Sequence, residues 1–97
     1  MLRDEAIMRL RTRRQELSDL GVHHLFLFGS TARGEADEES DVDLFFDHER
    51  GAIGLFRLME IQDRASAILG RRADVATRAS LHPTLRGRIE ADAVPVF

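Results

Sequence analysis

The chain of 97 residues is predicted to adopt an α+β fold, a small mixed β-sheet with helices packed on one face. Three features predict it. Two long stretches repeat apolar residues at helical spacing, and each ends at a glycine. Short runs rich in aromatic or β-branched residues, with alternating faces, read as strands. The connections mix hairpin-like and crossover types, as a mixed sheet requires.

In order along the chain, Leu2, Ala6, Ile7, Leu10, Leu17 and Leu20 fall mostly on one helical stripe, and Gly21 follows as a C-terminal cap, so the spacing predicts one amphipathic helix from Leu2 to Leu20. Val22 to Phe28 is too short and too aromatic for a second helix and reads as a buried strand ending at Gly29-Ser30. Thr31 to Gly34 reads as a short helical turn, and the acidic segment Glu35 to Ser40 as an exposed turn. Asp41 to Asp47, D-V-D-L-F-F-D, alternates as a second strand. Between Ala52 and Leu69, Ile53, Phe56, Met59, Ala65, Ile68 and Leu69 return to helical spacing, and Gly70 supplies the stop. Arg72 to Thr77 contains A-D-V-A-T, a third strand. Pro83 suits the first turn of a helix running to about Ala91, and Ala93 to Phe97 closes the chain as a strand that Pro95 confines to a sheet edge. The order is αββαβαβ, and residues 1–97 form a single domain without internal repeat, low-complexity tract or long linker.

Fourteen basic residues, all arginine, oppose seventeen acidic ones for a net charge of -3, which argues against a general nucleic-acid binder. The N-terminal arginines Arg3, Arg9, Arg11, Arg13 and Arg14 read as a solvated helix face. The absence of cysteine excludes a disulfide framework and a thiolate zinc site and fits a reducing cytoplasm. No apolar run approaches the roughly 20 residues of a membrane span, and the N-terminus lacks the apolar core of a signal peptide.

The chemistry concentrates in the second strand. Side chains alternate between the faces of a strand, so Asp41 and Asp43 share one face and Val42 and Leu44 the other. At ~3.3 Å per residue the two carboxylates stand about 6.5–7 Å apart along the backbone, within reach of a shared pair of metal ions. Asp74 brings a third carboxylate to the same face if the third strand pairs beside the second. Like charges so close repel, which implies cations between them, and magnesium prefers such oxygen ligands. Upstream, Gly29 allows phosphate to approach the backbone, Ser30 adds a hydroxyl, and the following helical turn presents free N–H groups to an anion. Arg33 is placed either to neutralise phosphate or to pair with Glu35 or Asp37. Ser40 positions the strand start through a backbone hydrogen bond.

Other residues carry blander readings. Asp47, in phase with Asp41 and Asp43 but at the strand's far end, reads as a solvated turn residue and not a ligand. His23, His24, His48 and His82 share no metal-site spacing. Phe26, Phe28, Phe45, Phe46 and Phe56 read as packing, with Phe45 on the acids' side.

The stretch GSTARGEADEESDVDLF resembles the signature of the polymerase β-like nucleotidyltransferases, specifically their minimal branch. Gly29, Ser30, Ala32, Arg33, Gly34, Ser40, Asp41, Asp43 and Leu44 all stand where that pattern places them. The resemblance extends to the closing segment Leu85 to Phe97, and the third carboxylate of the family carries over to Asp74. It implies a polymerase β-like core that transfers a nucleoside monophosphate, most often AMP from ATP, to a hydroxyl. Asp41, Asp43 and Asp74 would be the catalytic and metal-binding acids for two magnesium ions. Gly29, Ser30, Arg33 and Ser40 would form the nucleotide side of the site. Minimal members accompany a ribonuclease toxin of the higher-eukaryote-and-prokaryote nucleotide-binding (HEPN) type, which implies an antitoxin that adenylylates a toxin tyrosine, with no membrane and no direct nucleic-acid contact. Two other readings stay open: an antitoxin that neutralises by binding alone, and a transferase acting on an aminoglycoside-like small molecule.

Overall fold

The computed structural model describes residues 1–37, 39–49, 51 and 53–97. Four strands form one mixed sheet in the order β3-β2-β1-β4: β1 (His24–Phe28), β2 (Val42–Asp47), β3 (Ala73–Thr77) and β4 (Val94–Pro95). β1 runs antiparallel to both β2 and β4, and β2 runs parallel to β3. The helices are α1 (Arg3–Thr12), α2 (Arg14–Asp19), α3 (Gly29–Ala32), α4 (Leu55–Leu69) and α5 (Pro83–Asp92), with a 3₁₀ turn at Arg78–Ser80 before α5. The α+β class and the small mixed sheet are as the sequence predicts.

The core lies on one face of the sheet. Leu25 and Leu27 of β1, Val42, Leu44 and Phe46 of β2, and Ala73 and Val75 of β3 meet Ala6 and Leu10 of α1, Leu17 of α2 and Ile61, Ala65 and Leu69 of α4 in one cluster. Each fully buried leucine of this kind contributes about 1.5–3 kcal/mol. On the opposite face, Phe26 of β1 stacks on Phe45 of β2 with ring centres 4.9 Å apart. α5 touches β1 and α3 and buries none of its residues.

Several boundaries differ from the expectation. The helix from Leu2 to Leu20 is two helices, interrupted at Arg13, whose backbone leaves the helical region (φ −107°, ψ 22°). Between Leu10 and Leu17 the stripe carries only polar side chains, so no buried anchor holds the helix straight there. The arginines of this segment are not simply a solvated face. Arg9 donates to the carbonyl of Leu69 at the C-terminus of α4 (2.8 Å), Arg11 donates to that of Val96 (2.5 Å), and Arg14 lies over the ring of Phe97. The second long helix begins at Leu55, with the expected start at Ala52 outside the described residues. Ala65 and Leu69 are buried as expected, but Phe56 and Met59, expected in the same stripe, are 87% and 51% exposed, because the buried stripe continues through Ile61. The first strand starts at His24 instead of Val22, the second at Val42 instead of Asp41, and the last is the two residues Val94–Pro95.

Both edges of the sheet present few free N–H groups among the described residues. At one edge Pro95 has no N–H to offer. At the other, the outward N–H groups of Ala73 and Val75 in β3 are taken by Ser66 Oγ (3.0 Å) and Gln62 Oε1 (3.1 Å) of α4.

Candidate active site

β1 brings Phe28 opposite Asp43 of β2, and the chain then turns directly into α3. Gly29 makes that turn with φ +74°, a conformation that favours glycine. A Cβ at this position would also stand 2.3 Å from Oδ2 of Asp43. Backbone geometry and the neighbouring carboxylate therefore demand the same residue. The first N–H groups of a helix have no partner within it, so the start of α3, with Ser30, opens beside this carboxylate.

The third acid comes from the crossover. The parallel register pairs Asp43 directly with Asp74 and Val42 with Ala73, which puts Asp41 opposite Arg72 one residue earlier. Residues directly opposite share a face. Asp41, Asp43, Asp74 and Arg72 therefore mark four corners of one patch on the face away from the core. Arg72 Nε lies 3.8 Å from Asp41 Oδ2 and 3.6 Å from Asp74 Oδ1. Burial, followed by the charges of Asp74 and Asp41, holds the carboxyl of Asp43 above the usual carboxylate range, while Arg33 pulls weakly the other way.

A carboxylate that is half-buried, next to two more and against a glycine cradle, suits a hard divalent cation, since oxygen ligands are what magnesium takes. Among the described residues the side chains do not draw three acidic or histidine groups onto one point. Arg72 reaches Asp41 and Asp74 instead.

The remaining predicted residues take distinct positions. Arg33 follows α3 and pairs with Glu35 (Nε to Oε2, 3.1 Å). The Ser40 hydroxyl donates to Asp37 Oδ1 (3.1 Å) and accepts from the Asp37 N–H (3.2 Å), and the Ser40 carbonyl accepts from Arg71 (3.2 Å), so Ser40 shapes the turn that enters β2. These contacts and the Glu39 N–H hold the Asp37 carboxyl below its usual range, the Glu39 N–H most of all. A cleft of about 580 Å³ opens between α3 and α5, lined by Phe28, Gly29, Arg33, Leu85, Arg88 and Ile89. A second hollow of about 640 Å³, lined in part by His23, His24 and His48, lies at the other end of β1 and β2 and holds none of the predicted site residues.

Two features escaped the sequence reading. Asp47, read as a solvated turn residue, ends β2 with its two oxygens accepting from Nε and Nη2 of Arg78 (2.7 and 3.0 Å), and that guanidinium covers the rings of Phe26 and Phe45. Arg72 joins the acids because it lies two residues before Asp74 on the same strand face, a signal the period-two pattern carries. In addition, the Thr31 hydroxyl is buried in α3 without a hydrogen-bond partner among the described residues.

Known proteins resemble this chain in sequence and in fold. Residues 7–96 match the family described as "Nucleotidyltransferase domain". A Thermococcus cleftensis relative named protein adenylyltransferase MntA is 38% identical over 73 residues, covering 74% of this chain and 73% of its own. A Methanocaldococcus jannaschii relative described as a candidate protein adenylyltransferase is 36% identical over 90 residues, with 90% of each chain covered. Among solved structures, one described as a candidate minimal nucleotidyltransferase superposes with a TM-score of 0.74 at 33% identity, covering 92% of this chain and 94% of that one. At 14% identity the fold is also shared (TM-score 0.68, 94% of this chain and 71% of the other) with a chain from a complex of a tri-AMPylated Shewanella oneidensis HEPN toxin and MNT antitoxin. The chain belongs to the nucleotidyltransferase domain family, in its minimal form.

Proposed function

We propose that this protein transfers AMP from ATP to a protein hydroxyl in a magnesium-dependent reaction, that the acceptor is a tyrosine of a cognate HEPN-type ribonuclease toxin, and that the transfer silences the toxin in the cytoplasm. The observation that carries the reading is the register of Asp43 beside Asp74, with Asp41 on the same face and Gly29 packed against the Asp43 carboxylate. The relatives named protein adenylyltransferases and the fold shared with a toxin–antitoxin complex support the choice of AMP and of a toxin partner.

In this reading Asp41, Asp43 and Asp74 hold two magnesium ions, which supply charge neutralisation on the phosphates when bound. The cradle at Gly29-Ser30 receives the outer phosphates on backbone N–H groups and the serine hydroxyl, with Arg33 leaving Glu35 to join them. Asp74, half-exposed on β3, orients the acceptor hydroxyl and takes its proton as the hydroxyl oxygen bonds the α-phosphorus and pyrophosphate leaves. Ser40 keeps Asp41 in place through the turn it organises. Positioning and charge neutralisation carry the catalysis.

The test is transfer of label from α-labelled ATP, with magnesium, to the cognate toxin. Label is expected on the toxin and is expected to fall by at least ~10³-fold with Asp41→Asn and Asp43→Asn together. Toxin protection in cells by that double variant, without label transfer, overturns the enzymatic reading and leaves an antitoxin that acts by contact.

A further inference from the structure

We infer that Arg72 is a place-holding cation: it occupies the charge position between Asp41 and Asp74 while the site is empty and competes with the incoming metal for those two carboxylates. The inference rests on the proposed magnesium site.

Three observations carry it. First, the register makes Arg72 the fourth corner of the patch, opposite Asp41 and two residues before Asp74 on one strand face. Second, its Nε is within 4 Å of both carboxylates yet at 3.8 and 3.6 Å makes a hydrogen bond to neither. The attachment is therefore by charge alone, and the side chain is 72% exposed. Third, the neighbouring arginines are committed elsewhere: Arg71 to the carbonyls of Asp37 and Ser40, Arg33 to Glu35. Asp43 has no ion-pair partner among the described residues.

A guanidinium held this way costs little to move. The contrast with Arg78 is direct: that side chain is fixed by two hydrogen bonds to Asp47 and by two aromatic rings. A divalent ion carries twice the charge of arginine and bonds oxygen directly, so it can displace Arg72 outward into solvent. Until then Arg72 reduces the mutual repulsion of the acids. It thereby sets the metal concentration at which the site fills, and gives the empty site less charge to attract stray cations.

The test is a titration of the full chain with Mn²⁺ alone, without nucleotide, in which free Mn²⁺ is followed by its paramagnetic resonance signal at low salt. Arg72→Gln is expected to bind Mn²⁺ about tenfold more tightly than the unchanged protein, from removal of one positive charge a few ångströms from a divalent ion. Arg72→Lys, which keeps the charge, is expected to stay within about threefold of the unchanged protein. Arg57→Gln, the same charge change on α4, is expected to stay within about twofold. The rise in melting temperature on adding Mn²⁺ is expected to be larger for Arg72→Gln than for the unchanged protein, which reads the same affinity without a spectroscopic probe. Equal or weaker Mn²⁺ binding by Arg72→Gln, with the unchanged protein binding normally, overturns the place-holding role and leaves the proposed reaction standing. Absence of Mn²⁺ binding by every form, with ATP present as well as without it, overturns both.

Discussion

Asp43 and Asp47 sit on the same strand and the same face, and their surroundings push them in opposite directions. Asp47 has an arginine built for it: Arg78 gives it two hydrogen bonds, and their strength, more than any other influence, holds its carboxyl below the usual range. Asp43 is half-buried and has two more carboxylates beside it, and burial first, then those charges, hold its carboxyl above that range. One end of the face is neutralised from within the chain. At the other, Asp43 has no ion-pair partner among the described residues. In the proposed function the same residue type at the same strand phase serves stability at one end and chemistry at the other, with burial and neighbouring charges setting them apart.

Substitutions can break this contrast. The largest effect is expected from Asp43→Asn, which should reduce label transfer by about 10³-fold. Its effect on folding should have the opposite sign. Because the folded state raises the carboxyl above its unfolded value, ionisation costs stability as pH rises through that raised value. In the presence of a chelator at neutral pH, Asp43→Asn should therefore raise the melting temperature, by roughly 2 °C, and a fall would refute the repulsion argued for this end. Gly29→Ala should cost about 10²-fold in transfer and ~2–3 kcal/mol in stability by denaturant unfolding, since it strains a positive φ and drives a methyl group into Asp43.

At the other end, Arg78→Ala should cost about 2 kcal/mol by the same measurement, for the ion pair and the uncovered Phe26 and Phe45 together, while transfer per folded molecule stays within about twofold. The pH dependence has a definite sign here. Asp47's lowered carboxyl contributes stability above the ordinary carboxylate value of ~3.9, and that contribution is lost as pH falls through its folded value. Asp47→Asn should therefore flatten the acid limb of the stability profile. The smallest effect concerns Thr31, whose buried hydroxyl lacks a partner among the described residues. Thr31→Val should stabilise the protein by about 1 kcal/mol, and destabilisation would mean that the hydroxyl has a partner.

Much of this was legible in the sequence. The alternation of Asp41 to Asp47 gave the face on which Asp43 lies, and Gly29-Ser30 marked the end of β1 where the chain turns. The placement of Asp74 depended on which strands pair, a tertiary fact that spacing alone does not contain, and the parallel crossover supplied it. The spacing placed Ala65 and Leu69 of α4 in the core correctly but misread its N-terminal half, because helical spacing fits Phe56 and Met59 as well as Ile61 and only packing chooses among them. The roles of Arg9 and Arg78 were hidden because an arginine's reach exceeds the range over which sequence spacing fixes a neighbour.

The edges of the sheet bear on how the protein can meet others. With Pro95 on one margin and the amides of Ala73 and Val75 already occupied by Ser66 and Gln62 on the other, both margins offer few free backbone donors among the described residues. A second chain that adds a strand beside β3 has to displace those two side chains to reach the amides. Such an arrangement disfavours strand-by-strand stacking, the route by which small sheets aggregate, and favours recognition through side chains, where charge and shape discriminate.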